Sequence, residues 1–330
     1  MIRWGILGAG NIARKLASDM ALVDNAELVA VGSRSNESAS AFIKDFPVRH
    51  VHLSYEDLAA NPEVDVIYIA TPHSHHHENA LMCLENNKAV LCEKAFAVNS
   101  RQAKEMIDKA REKKLFIMEA MWTKFLPHYS KMKSIVDSGD LGNISSVLIN
   151  FGFRPRTPVP ARLFDPALAG GTIMDIGVYN VFIAMSVLGK PDEIVAHMTP
   201  SSTGVDEQCS VLFNYNNGAM AQLFSSFVAH LPTEAEISGS NGRLKLTHRF
   251  YAPESRLELY PEKMESKKDI AFDYPDRGWG YQYEVQHVCD CLQNRLTESP
   301  VMSHNDTLEI MGVLDEIRIK AGIKYPADVV

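Results

Sequence analysis

The stretch that most limits how this chain can fold is its beginning. An apolar run over residues 2–7 ends in Gly8-Ala9-Gly10-Asn11-Ile12-Ala13, and a helix-patterned segment over residues 12–23 comes next. A strand, a G-x-G-x-x-A turn and a helix, in that order, make the fingerprint of a dinucleotide-binding βα unit. Gly8 permits the tight turn, and Gly10 lets the backbone approach a pyrophosphate. Ala13 keeps the helix close to the sheet. Asn11 and Ile12 open that helix, whose N-terminal amides and dipole favour a phosphate.

The next hundred residues keep to the same plan. Residues 27–31, 64–70, 89–92 and 115–118 are short apolar runs, and 64–70 (Val-Asp-Val-Ile-Tyr-Ile-Ala) is apolar at nearly every position. Strands buried on both faces look like this. Helical patterns lie at 77–86 and 100–113, the second with Asn99 at an N-cap and Gln102 three residues on. Such alternation predicts a parallel sheet with helices on both faces.

Beyond Trp122 the pattern changes. A helix is expected over 127–138 and a strand over 145–153, then a loop with Pro155, Pro158, Pro160 and Pro166. Gly170-Gly171 precedes a helix over 172–188. Extended segments come after it at 194–199, 208–215, 219–228, 233–238, 244–247 and 257–260. Asn216-Asn217-Gly218 and Ser240-Asn241-Gly242 are tight-turn sequences between such strands, which predicts a mostly antiparallel sheet. Helices over 281–295 and 306–321 close the chain. The expected class is α/β: a Rossmann domain over 1–120 and an α/β substrate-binding and oligomerisation domain over 121–330.

Charge excludes some partners. With 41 acidic against 33 basic residues the formal net charge is -8, which disfavours nucleic acid and anionic membranes. Five scattered cysteines do not form a disulfide framework, and Cys289 and Cys291 point apart on a helix. The first residues look like a strand rather than a leader, and no apolar run approaches the ~18 residues of a membrane span. A soluble, cytoplasmic protein is expected. His73, His75, His76 and His77 crowd one turn, but no Asp or Cys at local spacing completes a ligand set, so no metal site is expected.

Three clusters can carry chemistry. After the second strand, Ser33-Arg34-Ser35-Asn36 offers hydroxyls and a guanidinium where NAD enzymes often place a carboxylate. That set suits the 2′-phosphate of NADP, although Arg34 can also stack on adenine with either cofactor. NADP is expected, with NAD possible. At the end of the fifth run, Cys92-Glu93-Lys94-Ala95 places a lysine where strand ends face a ligand crevice. It either holds a substrate oxygen or the nicotinamide ribose, or is simply exposed to solvent. In Gly170-Gly171-Thr172-Ile173-Met174-Asp175-Ile176-Gly177-Val178-Tyr179, Asp175 and Tyr179 share one helical face. They are a hydroxyl-binding, proton-exchanging pair, or else a dipole-compensating Asp and a half-buried Tyr. Gly177, unhelpful inside a helix, implies close approach by another group. Arg154 and Arg156 either reach the substrate or face solvent. Trp122 offers an aromatic face to a ring, or packs between domains.

Taken together, Gly8 to Ala13, Ala70-Thr71-Pro72 with His76, Glu93-Lys94, and Gly-Gly with Asp175 and Tyr179 resemble the glucose–fructose oxidoreductase/inositol dehydrogenase family, often called Gfo/Idh/MocA. The likeness covers essentially the whole chain. Glu119-Ala120-Met121-Trp122-Thr123-Lys124-Phe125 and the Tyr at 179 are most similar to the branch of dimeric dihydrodiol dehydrogenases and NADP-linked aldose (xylose) dehydrogenases. The resemblance implies a large open second sheet, commonly the subunit interface, and hence a homodimer or homotetramer. It implies a sugar or cyclic diol substrate. It also makes Lys94 the active-site lysine, Tyr179 the proton donor or acceptor, and Asp175 a substrate-binding carboxylate. Thr71, Pro72, His76, Glu93 and Trp122 fall on the cofactor side. A tyrosine of pKa near ~10 is a poor base at neutral pH, and a lysine nearby would lower that value. Two departures stand out: the usual Glu-Lys-Pro is Glu-Lys-Ala here, and many members carry His at position 179. A non-catalytic dinucleotide-binding regulator, and a carbonyl or imine reductase of a non-sugar metabolite, are the rival readings.

Overall fold

The computed structural model describes residues 1–262, 267–274 and 278–328, in two compact units. The first holds residues 1–125 and 278–308, the second 126–274 and 309–328. A single division between 120 and 121 is therefore corrected: residues 278–308 return to the first unit. The cause is a contact that no local pattern announces. The Asp19 carboxylate, buried at 1% exposure, accepts hydrogen bonds from the N–H groups of Trp279 (2.9 Å) and Tyr281 (2.8 Å). Burial raises the Asp19 pKa, and those same donors pull it down.

In the first unit β1 (Ile2–Leu7), α1 (Asn11–Met20), β2 (Ala26–Gly32), α2 (Asn36–Asp45), β3 (His50–His52), α3 (Tyr55–Ala60), β4 (Val66–Ile69), α4 (His76–Glu85), β5 (Ala89–Glu93), α5 (Ser100–Lys113) and β6 (Ile117–Ala120) alternate. The sheet runs β3-β2-β1-β4-β5-β6, with every pair parallel. Every residue of β4 and β5 is buried, which explains their apolar runs. The strand order reverses between β1 and β4, so a crevice opens at their C-terminal ends, where dinucleotides bind in such sheets. Asn99 accepts from the Gln102 N–H at 3.0 Å, and Gln102 accepts from the Val98 N–H at 3.2 Å, closing the expected cap of α5. α2, β3 and α3 were not foreseen. They are short, and the two helices start on Ser35 and Ser54, which accept from the N–H groups of Ser38 (3.2 Å) and Asp57 (3.0 Å).

In the second unit α6 (Pro127–Asp137), β7 (Ile144–Gly152) and α7 (Val178–Leu188) precede β8 (Glu193–Pro200), β9 (Asp206–Asn214), β10 (Met220–Ser226), β11 (Glu234–Gly239), β12 (Gly242–Thr247), β13 (Arg256–Pro261) and β14 (Lys268–Ile270). The sheet order is β14-β13-β12-β11-β7-β10-β9-β8, antiparallel except for β7 beside β10. One face, with Val147, Ile149, Leu223, Phe213 and Leu244, is buried and packs on α6 and α7. On the other face Leu148, Val195 and Met220 stay exposed, in rows set by the pairing Leu148–Gln222–Leu212–Val195. One sequence expectation is corrected here. The stretch Pro166–Leu188 contains an 18-residue window of mean hydropathy 1.5, long and apolar enough for a membrane span, but 78% of that window is buried inside the protein. It is a core element.

Candidate active site

The first cluster lies where β1 turns into α1. Gly8 has φ +100°, and a Cβ on it would stand 3.0 Å from the Ala70 carbonyl oxygen, so only glycine fits. Gly10 is the N-cap of α1, with no side chain capping the helix, and a Cβ there would meet nothing within 4 Å. The first-turn N–H groups of α1 are left without a side-chain cap. Their donors and the helix dipole fit a pyrophosphate. Asn11 is exposed and Ile12 half-buried. At the end of β2 Ser33 is buried, its hydroxyl donating to the Ser35 carbonyl oxygen at 3.1 Å and so shaping the turn. Arg34 is exposed, with its guanidinium 5.4 Å over the Tyr55 ring.

The second cluster joins the ends of β4 and β5. His76 is fully buried, with Nε2 2.8 Å from the Thr71 carbonyl oxygen and Nδ1 2.9 Å from that of Ala95. Burial pushes its pKa down to about 4 against the pull of those carbonyls. His76 thus packs between the Thr71-Pro72 turn and the loop after Lys94, its single N–H when neutral donating to one of the two carbonyls; it acts through those loops and not as a surface group. The other three histidines of this turn go separate ways: His75 to Glu78, His77 to Glu105, and His73 edge-on to the His76 ring. Glu93 is buried and takes the Tyr68 hydroxyl as a hydrogen-bond donor, while Lys94 is half-buried at the strand end. The Lys94–Ala95 peptide is cis, at the place of the family's usual proline.

Behind that loop stands Glu119, which sequence reading took only as part of a motif. It is 1% exposed and accepts the Phe96 N–H at 3.2 Å, two residues past Lys94. Burial pushes its pKa up from 4.5 to about 7, opposed by Thr307, Phe96 and Lys124. A raised carboxyl pKa in the folded state means stability present below about 4.5 and lost as pH climbs through about 7. Glu119→Gln keeps the acceptor without the charge. The variant is expected to gain about 3 kcal/mol on the wild type between pH 4.5 and 8, as paired urea melts would show. A difference independent of pH would contradict this assignment. Trp122 is 7% exposed, and one face of its indole is covered by Tyr281, rings 4.6 Å apart at 8°. It packs within the first unit.

The third cluster belongs to the second unit. The expected helix over 172–188 begins as a π-helical turn, Ile173–Gly177, before α7 proper. Asp206, fully buried, anchors that turn: its Oδ2 accepts from the Thr172 hydroxyl (2.5 Å) and the Ile173 N–H (2.7 Å). Burial pushes the Asp206 pKa up to about 6, and those donors hold it down. The close approach that Gly177 implied comes from the protein itself, since a Cβ there would lie 3.0 Å from Ser225 Oγ. Asp175 is 8% exposed and ion-paired with Arg162 Nη1 at 3.0 Å. Tyr179 is 6% exposed, its ring 4.9 Å from that of Tyr251 and 6.1 Å from that of Phe151. Arg249 donates to the Tyr251 hydroxyl through Nε (3.1 Å) and Nη2 (2.8 Å). Asp175 and Tyr179 are thus brought together with Arg162, Tyr251 and Arg249, none of which sequence reading picked out. Arg154 and Arg156 are exposed. A buried acid held by a guanidinium, beside a phenol in an aromatic wall, can bind hydroxyls and exchange a proton.

Comparison with known proteins shows the family and the fold. A family profile described as oxidoreductase family, NAD-binding Rossmann fold, matches residues 2–121, and a GFO/IDH/MocA C-terminal domain profile matches residues 129–245. The chain is 35% identical to a trans-1,2-dihydrobenzene-1,2-diol dehydrogenase of Xenopus laevis over 98% of this chain and 99% of that protein. It is 34% identical to the protein of that name from Homo sapiens, over 99% of both. Among solved structures, a 3-ketoreductase from Actinomadura kijaniata in complex with NADP and TDP-benzene shares the fold at TM-score 0.87, with 24% identity over 97% of this chain and 98% of that one. An aldose-aldose oxidoreductase from Caulobacter crescentus complexed with glycerol does so at TM-score 0.87 and 21% identity, over 97% of both. The chain therefore belongs to the GFO/IDH/MocA oxidoreductase family and is an NAD(P)-dependent dehydrogenase.

Proposed function

We propose that the protein interconverts a hydroxyl and a carbonyl on a sugar or cyclic diol, with Tyr179 donating or accepting the proton. The observation that carries this reading is the Arg162–Asp175 pair one turn before Tyr179, in a buried aromatic setting. Asp175 accepts hydrogen bonds from substrate hydroxyls, and the Tyr251 and Phe151 rings favour a ring-shaped substrate. Lys94 carries the positive charge for the reacting oxygen. NADP, when bound, supplies or takes up the hydride. The curated relatives named as diol dehydrogenases support the substrate class.

The preference for NADP rests on Arg34, exposed at the end of β2. A guanidinium–phosphate pair contributes ~1.5–3 kcal/mol. Arg34→Ala should therefore weaken NADP by about tenfold or more in a fluorescence titration and leave NAD nearly unchanged. Equal losses for both would return Arg34 to adenine stacking.

We assign self-association to the outer sheet face, where Leu148, Val195 and Met220 are 44%, 51% and 42% exposed. Apolar side chains grouped on one face of a sheet are characteristic of a contact surface. Light scattering on the purified chain should give a dimer or tetramer; a monomer at micromolar concentration would contradict this assignment.

A further inference from the structure

We infer that Arg249 is a positioning residue for proton transfer: docked on the Tyr251 hydroxyl, its guanidinium favours the ionised form of Tyr179. The inference rests on the reading of Tyr179 as the proton-exchanging group. Three observations carry it.

The first is the dock itself. Nε and Nη2 of Arg249 both donate to the Tyr251 oxygen, and the Tyr251 ring packs against both Phe151 (4.4 Å, nearly parallel) and Tyr179 (4.9 Å). The second is the backbone. His248 and Arg249 both occupy the left-handed region, φ +54° and +65°, which side chains rarely adopt. The strain is held from several sides. The Arg249 and Phe250 N–H groups donate to the Thr233 carbonyl oxygen, and His128 Nε2 lies 2.8 Å from that of Phe250. The third is charge. Asp175 stands four residues before Tyr179 in the preceding π-helical turn, and Tyr251, with Arg249 docked on its hydroxyl, packs against Tyr179 from the loop after β12. Arg162 neutralises Asp175, and Glu254 lies 3.4 Å from Arg249. His128 behind the loop is kept neutral by burial, its pKa pushed down to about 4. Burial works against the Arg249 charge, while Tyr251, Glu254 and Tyr179 hold it in place. A cation docked on Tyr251, whose ring packs against that of Tyr179, favours a phenolate beside it, and the half-exposed setting of Arg249 moderates the effect.

The test is an ultraviolet titration of the NADP-saturated full chain. The Tyr179 phenolate is isolated as the difference between each protein and the same protein carrying Tyr179→Phe. Arg249→Met should move that titration up by about half to one pH unit, and Arg249→Lys should restore most of the shift. Glu254→Gln, which removes an opposing charge on the surface, should move it down. A titration unmoved in both Arg249→Met and Glu254→Gln overturns the inference. If Arg249→Met does not fold, an unmoved titration in Glu254→Gln overturns it alone. The reading beneath it fails in a different way, by full turnover of Tyr179→Phe with D-xylose or trans-1,2-dihydrobenzene-1,2-diol.

Discussion

Tyr179→Phe is expected to lower turnover by about a thousandfold while leaving NADP affinity and folding nearly unchanged, because general acid–base catalysis by one side chain contributes ~10²–10⁴. The substitution removes one oxygen. The ring contacts with Tyr251 and Phe151, at 4.9 and 6.1 Å, involve carbon atoms and survive. The cofactor cradle at Gly8 and Gly10 belongs to the other compact unit. Steady-state kinetics beside a cofactor titration and a thermal melt separate these effects. Full activity would remove Tyr179 from the chemistry; a large drop in melting temperature would mean that its hydroxyl is structural.

Gly171→Ala should produce the largest loss of stability. Gly171 has φ +112°, and a Cβ there would collide with Asp206 Oδ1 and stand 3.3 Å from the Tyr325 hydroxyl. Asp206 cannot simply retreat, since its other oxygen holds the Thr172 hydroxyl and the Ile173 N–H. Nor can Tyr325, whose hydroxyl donates to the Gly170 carbonyl oxygen at 2.6 Å. The turn that carries Asp175 must shift. A steric clash combined with a forbidden φ at a buried position costs about 3 kcal/mol or more. The urea midpoint should fall accordingly, and turnover with it. A variant as stable as the wild type would show that the turn can open without cost.

Much of this arrangement was legible in the sequence, wherever local rules decide it. The Gly8 to Ala13 turn, the Asn99 cap and the apolar runs of β4 and β5 result from steric and burial requirements within a few residues. The second sheet could be read from its turns: Asn216-Asn217-Gly218 joins β9 to β10, and Ser240-Asn241 joins β11 to β12. Elements supported by one cap and little periodicity, such as α3 after Ser54, escaped notice. So did whatever depends on residues far apart in the chain. The return of 278–308 to the first unit turns on Asp19, some 260 positions away from the N–H groups it accepts. The same holds around Tyr179. Its motif named Asp175, but Tyr251 and Arg249 arrive from a loop after β12 whose composition carries no signal. The π-helical turn was equally hidden, because it is anchored from outside by Asp206 on β9.

The most direct measurement is a titration of the purified chain with NADPH and NADH, monitored at the nicotinamide band with a panel of aldoses and cyclic diols. NADPH should bind about tenfold tighter than NADH or better, with turnover of at least one panel member. Binding of neither cofactor would contradict the assignment of this chain as a nicotinamide-dependent dehydrogenase.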